Sequence, residues 1–374
     1  MLRLGASSNT GVVAHDPGIA RFLGATRRGA LDTIRHQAEQ REVDLLWEPE
    51  RVARSIGELV ADLEPDAVLV DHVSFGSTLG MYATGRPFIT LVPGHPSQLP
   101  VGAERYGIPP DWPACLVPDP GRLAELEVVA DRVTTAFTDR FNAALATVAP
   151  DRPPVRDAFR VHGDRVLYNS VAAHQHPDRS SSLPRDHRFV GPLVRTEPLP
   201  EALATWRHRV AGRPQVYVAF GTFLSHRGDV LTRVADGLRS IDVRAAIAVG
   251  STPADTRGPI PADWVVASQL PQVAMLAHAD LAVHHGGNNS VQESLAAGVH
   301  QIMLPFSTDQ FANAADFERI GAAGVLSPNE MTSAEIAEII IQRLATVLPQ
   351  QQSAPSHEEL TETLSTSPAP LHTV

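Results

Sequence analysis

The stretch that decides the fold is LAVHHGGNNSVQESLAAG, residues 281–298. An apolar start runs into two histidines, two glycines and two asparagines, and a segment with helical spacing follows at once. That order predicts a buried strand ending at His285, a turn at Gly286 and Gly287, and a helix starting at Asn289 or Ser290. Such a unit aims free backbone N–H groups and the positive end of the helix at one point, which suits an anion. Glycines let the backbone come close, and an imidazole beside them adds a donor or a charge. Ser290-x-x-Glu293 has a plainer reading as a capping box, with Gly298 ending the helix. Capping accounts for neither the histidine pair nor GGNN.

Around this stretch, short runs rich in apolar and β-branched residues alternate with amphipathic ones. Residues 66–71, 87–92, 166–170, 215–221, 244–250, 263–268, 280–285 and 300–306 read as strands, and 50–63, 121–148, 228–240 and 290–298 as helices. The alternation predicts an α/β fold with parallel sheets, in which ligands sit beyond the carboxyl ends of the strands. Prolines and charges at 190–214 place a domain junction near residue 200, giving domains over 1–200 and 201–348. Residues 349–374 lose all periodicity and are expected to be a disordered tail.

Composition narrows the chemistry. The 374 residues carry a formal charge of −11, against a surface that attracts nucleic acid or anionic lipid through cations. All 31 basic residues are arginine, which removes Schiff-base lysine chemistry and a Walker-type phosphate loop. The single Cys115 allows no internal disulfide and no multi-cysteine metal site, and a buried or inert thiol is expected there. No secretory leader and no run of about 18 apolar residues is seen, so a cytoplasmic protein without stable membrane insertion is expected.

HHGGNNSVQESLAAGVHQIMLPFSTDQFANA (284–314), with SQLPQVAMLAHADLAV (268–283) and VYVAFGTFLS (216–225) upstream, closely resembles the donor-binding signature of family 1 glycosyltransferases. The resemblance implies a GT-B fold, two Rossmann-like domains with parallel sheets facing across a cleft, and a nucleotide diphosphate sugar as co-substrate with no other cofactor. It makes His285 a diphosphate ligand, with Asn289, Ser290 and Thr222 contacting phosphate. Glu293 would accept from the ribose hydroxyls, and Asp309 and Gln310 would hold the transferred sugar. Carboxylates and amides suit hydroxyls, and donors suit diphosphate. Asp309 has its own plainer reading, since STDQ could cap the next helix. Gln269 falls where plant relatives carry a base-stacking tryptophan, and uridine and thymidine both stay open. His300 replaces the usual proline after GV and is expected to be a buried structural histidine, like His278 and His284.

Enzymes resembling this one invert the anomeric centre without a divalent metal, and no D-x-D pair is present here. A histidine oriented by an aspartate deprotonates the acceptor. Asp71 matches the orienting aspartate. By comparison with the family, a first strand, its G-H-x-x-P loop and a helix are missing ahead of LRLGASSNTG, which should leave an apolar sheet edge. His72, His95 and His15 are the possible substitutes for the base; His72 should point away from Asp71, and His95 should line the acceptor pocket. The implied partners are a nucleotide sugar and a hydrophobic acceptor such as a polyketide aglycone, held in an apolar pocket lined by HVSFG and VPGHPSQLP, and a homodimer is possible. Two other functions fit the same pocket: a donor-binding auxiliary protein that lost its base, and a sugar-nucleotide epimerase.

Overall fold

The computed structural model describes residues 17–209, 212–250, 252 and 258–346. His15, the strand expected within LRLGASSNTG and the tail expected from residue 349 lie outside them. The order is α1 (Pro17–Arg28), α2 (Ala30–Leu45), α3 (Pro49–Leu63), β1 (Leu69–Asp71), α4 (Phe75–Thr84), β2 (Ile89–Val92), α5 (Pro120–Val148), β3 (Arg165–Tyr168), α6 (Pro177–Ser182) and β4 (His187–Phe189). Then come α7 (Glu201–Arg209), β5 (Gln215–Ala219), α8 (Gly221–Leu224), α9 (Gly228–Arg239), β6 (Arg244–Ala248), β7 (Val265–Ala267), α10 (Gln272–Leu276), β8 (Leu281–His284), α11 (Asn288–Ala296), β9 (His300–Met303), α12 (Thr308–Arg319), β10 (Ala323–Val325) and α13 (Ser333–Leu344).

The strands form two parallel sheets, one ordered β1-β2-β3-β4 and one ordered β10-β9-β8-β5-β6-β7. β5 and β8 are buried on both faces, which is why both read as continuous apolar runs. Their inward residues pack with those of α9 and α13 in a core that includes Val216, Val218, Val234, Leu281, Val283 and Ile336. A separate aromatic core under the first sheet joins Phe75, Tyr106, Phe137, Phe141 and Phe159. α5 earns its length from an Asp119 cap, whose carboxylate accepts from the Arg122 N–H at 2.9 Å, and from Pro120 at its first position. Among the described residues β1 is an edge strand, and Leu69 on it is exposed.

The second sheet has one feature that positions a ligand. From β5 the chain runs outward through β6 and β7, then returns across the sheet to β8 and runs the other way through β9 and β10. The connections leaving β5 and β8 therefore diverge, and a crevice opens at their carboxyl ends. Contacts between the two halves close over this edge. Trp112 meets Phe311 at 5.3 Å between ring centroids, and the Ala114 N–H donates to Glu318 at 2.7 Å.

Candidate functional site

Two segments line the crevice. After β5, Gly221 takes φ +69° and opens α8; after β8, Gly286 takes φ +83° and Gly287 caps α11. A side chain at Gly286 would be strained by that φ and would press against the Gln310 carbonyl oxygen, 3.2 Å from the added Cβ. Helix α11 starts at Asn288, one to two residues before the start expected from sequence. No side chain caps it and no acidic residue lies in its first turn, so its dipole and first amides stay available. Asn289 is exposed and His285 and Gly287 are half-buried, so the turn opens to solvent.

The capping-box reading of Ser290 and Glu293 is thereby corrected. Ser290 is the third helical residue, and its hydroxyl accepts from Gln272 Nε2 at 3.2 Å. The buried Glu293 carboxylate accepts from Gln272 Nε2 at 2.6 Å and from Arg195 Nη1 at 2.8 Å. The capping box lies further on, at the start of α12, between Ser307 and Gln310. Gln310 Oε1 accepts from the Phe306 and Ser307 amides at 2.9 and 3.1 Å, and its Nε2 donates to Ser307 Oγ at 2.8 Å. The sugar-holding role expected of Gln310 therefore conflicts with a carboxamide already committed to the cap. Asp309 beside it is half-buried on the first turn of α12. Thr222 lies in α8 right after Gly221, and Gln269 is exposed between β7 and α10.

His285 sits between the two glycine segments. A Cβ on Gly221 would lie 3.3 Å from its Cε1, and one on Gly287 would lie 2.4 Å from its Nε2. Its Nδ1 has no hydrogen-bond partner among the described residues. Burial holds the ring down to about 4, only partly opposed by the Ala219 carbonyl, so His285 is neutral at pH 7. Of the two parts open to it from sequence, a donor or a charge, the neutral ring is compatible with the donor. His284 has a structural place: Nδ1 accepts from the Gly286 amide at 3.0 Å, so Nε2 carries the proton to Gln301 Oε1 at 2.9 Å. His300 is only half-buried, unlike the buried role expected of it, and His278, expected to be structural, is exposed.

On the other side of the crevice, Asp71 is exposed at the end of β1, where its carboxylate accepts from the Val73 amide at 3.1 Å. Partial desolvation raises its pKa against that bond. His72 points the opposite way, as expected, edge-on to Phe75 and Tyr106, and burial with His162 nearby holds it neutral at about 4. His95 does not line an open pocket. Its Nδ1 accepts from the Ser97 amide at 3.1 Å, which leaves Nε2 to donate to Asp316 on α12 at 3.0 Å. Neither ring is poised as a base in this structure. A cavity of about 180 Å³ lies between α2 and the loop after β2, lined by Gln37, Arg41, Asp44, Gln98 and Tyr106 among others. Cys115 is exposed, not buried, and partial desolvation beside Glu318 pushes its thiol up to about 11.

Three residues that matter here were not singled out from sequence. Asn288 Nδ2 donates to the Pro93 and Asn169 carbonyls at 2.6 and 2.9 Å, tying the start of α11 to the first half. Gln272 and Arg195 hold Glu293. Asn288 was visible inside GGNN; the other two carry no local signal.

A family described as "UDP-glucoronosyl and UDP-glucosyl transferase" matches residues 130–348, more than half of the chain. The chain belongs to that family. A demethyllactenocin mycarosyltransferase of Streptomyces fradiae is 27% identical over 289 residues, covering 76% of this chain and 58% of that one. A zeaxanthin glucosyltransferase of Pseudescherichia vulneris is 30% identical over 310 residues, covering 78% of this chain and 71% of the relative. The solved glycotransferase of kitacinnamycin superposes with a TM-score of 0.64 at 21% identity, covering 83% of this chain and 75% of that one, which shows the GT-B fold. This family member thus spans well under two thirds of the mycarosyltransferase's length.

Proposed function

We propose that this chain binds a nucleotide diphosphate sugar at the β5–β8 crevice and transfers the sugar, with inversion and without a metal, to a hydrophobic small-molecule acceptor of the polyketide-aglycone kind. The observation that carries the reading is the uncapped, acid-free start of α11 at the carboxyl edge of the switch point, with His285 and the Gly286 turn beside it. Diphosphate oxygens accept from the first amides of α11, from Asn289 and Ser290, and from the neutral His285 ring. As the sugar–phosphate bond breaks, charge grows on the leaving diphosphate, where those fixed donors stabilise it. Ribose hydroxyls donate to Glu293 and displace Arg195, the exposed one of its two partners. Asp309, on the first turn of α12, faces the sugar. Asp71 orients the group that removes the acceptor proton, and the cavity by Gln98 and Tyr106 receives the acceptor.

A second reading, a donor-binding protein without turnover, draws on one observation: His72 and His95 are both committed elsewhere. Titration calorimetry with UDP and dTDP, followed by a mass-spectrometric assay of sugar nucleotides against an aglycone panel, separates the readings. Binding with transfer supports the first, binding alone the second, and absence of nucleotide binding sinks both.

A further inference from the structure

Away from the crevice, at the amino-terminal edge of the first sheet, three side chains converge. His162 lies in the loop before β3, Asp186 in the turn just before β4, and His187 opens β4. One ligand atom from each lies within 4.8 Å of the others. The backbone that carries them is fixed by the sheet: Val166 pairs with His187, and the Val166 amide donates to the Asp186 carbonyl at 3.0 Å. Each histidine also has its Nδ1 occupied. His162 Nδ1 donates to the Gly163 carbonyl at 2.7 Å, and His187 Nδ1 pairs with the Tyr168 hydroxyl at 2.7 Å.

This orientation leaves both Nε2 atoms for one ligand. His187 is only 9% exposed, and its Nε2 is buried with no hydrogen-bond partner among the described residues. The two rings meet edge-on, their centroids 5.2 Å apart, beside an acidic residue. Metal-bound histidines commonly donate the other ring N–H to a carbonyl, carboxylate or water, which is the arrangement at His162 and, through a phenol, at His187.

We propose that His162 Nε2, His187 Nε2 and the Asp186 carboxylate form a binding site for a borderline divalent cation, Zn2+ foremost, separate from the sugar-transfer cleft. Imidazole and carboxylate ligands in this number suit Zn2+ with water in the fourth position. Zn–N and Zn–O bonds are about 2.0–2.2 Å long, which puts ligand atoms of a tetrahedral ion about 3.3 Å apart. Binding draws ligand atoms that now lie within 4.8 Å of one another to that spacing. The bound ion joins the start of β4 to the loop ahead of β3, so its effect falls on the stability of the first sheet and not on donor binding.

The test is calorimetric titration of the purified, tag-free chain with ZnCl2, with CoCl2 absorption as a reporter of coordination. One equivalent of Zn2+ binds with micromolar or tighter affinity, raises the melting temperature, and Co2+ gives the intense visible bands of a four-coordinate site. His162→Ala, at the half-buried ligand, weakens Zn2+ by more than about 100-fold, and Tyr168→Phe, which removes only the hydroxyl behind His187, weakens it about tenfold. The exposed His278→Ala leaves the affinity unchanged, and UDP or dTDP binding is the same with and without Zn2+. No binding at millimolar Zn2+, or binding that His162→Ala and Tyr168→Phe both leave untouched, overturns the site.

Discussion

Asn288 offers the sharpest test of how the helix start is held. Its carboxamide is 4% exposed and its Nδ2 donates to two carbonyls of the first half, Pro93 at 2.6 Å and Asn169 at 2.9 Å. Each such bond contributes about 0.5–1.5 kcal/mol net, and truncation leaves both carbonyls buried without this donor. Asn288→Ala is therefore expected to cost about 1–3 kcal/mol, read as a lower urea midpoint at unchanged slope. Asn288→Asp should cost more, because a carboxylate replaces the donor opposite two carbonyl oxygens. The neighbour supplies the contrast. Asn289 is exposed, so Asn289→Ala should change stability by less than about 0.5 kcal/mol while weakening UDP or dTDP binding. Equal stability of the two alanine variants would refute the assignment of Asn288 as the tie between the halves.

His285→Ala should weaken nucleotide affinity by about 2- to 10-fold by calorimetry, the range for a neutral donor, with the melting temperature held. Gly287→Ala drives a Cβ to 2.4 Å from His285 Nε2, so it should lower nucleotide affinity by displacing the ring, and the double variant with His285→Ala should be less than additive. Glu293→Gln loses the Arg195 ion pair but no cap, so stability by thermal melting should move by less than about 1 kcal/mol while ribose-dependent affinity falls. His72, His284 and His285 are held at about 4, 3 and 4, below the usual value, so the unfolded chain binds more protons than the folded one in between. Their stabilisation is complete above pH 6.5 and is lost as pH falls toward 4, at up to about 1.4 kcal/mol per pH unit for each. A urea midpoint that stays flat from pH 7 to 5 would count against their burial as neutral rings.

The two central strands of the second sheet were legible because burial on both faces forces continuous apolar runs at 216–219 and 281–283. β4 and β10 escaped because their three residues, HRF and AGV, lie in no run rich in β-branched residues, unlike the equally short edge strands β1 and β7, which sit in AVLV (67–70) and WVVA (264–267). In the site, the glycines and His285 were readable from local chemistry. The error at Ser290 has a physical cause: S-x-x-E matches a capping box locally, but the helix had already begun on Gly287, and the serine faces Gln272. Arg195 and Gln272 reach Glu293 across 98 and 21 residues, and only the fold brings them there. His95 was misplaced for the same reason, since its partner Asp316 is 221 residues away.

Those distant partners also say how the two halves communicate. Asn288 and Asn289 are adjacent on α11, one bonded to the first half and the other open at the crevice. On α12, Asp309 lies on the first turn and Asp316 two turns on, where it meets His95 of the first half. Each helix thus bears a crevice residue and a tie to the opposite half on one rigid rod. A shift of the first half pulls on Pro93 and His95, and so re-aims the helix starts whose amides and carboxylate frame the crevice. An acceptor held in the cavity beside Gln98 is therefore expected to shift UDP or dTDP affinity, and by linkage the nucleotide should shift acceptor affinity by the same factor; paired calorimetric titrations that show each affinity unchanged by the other ligand would refute it.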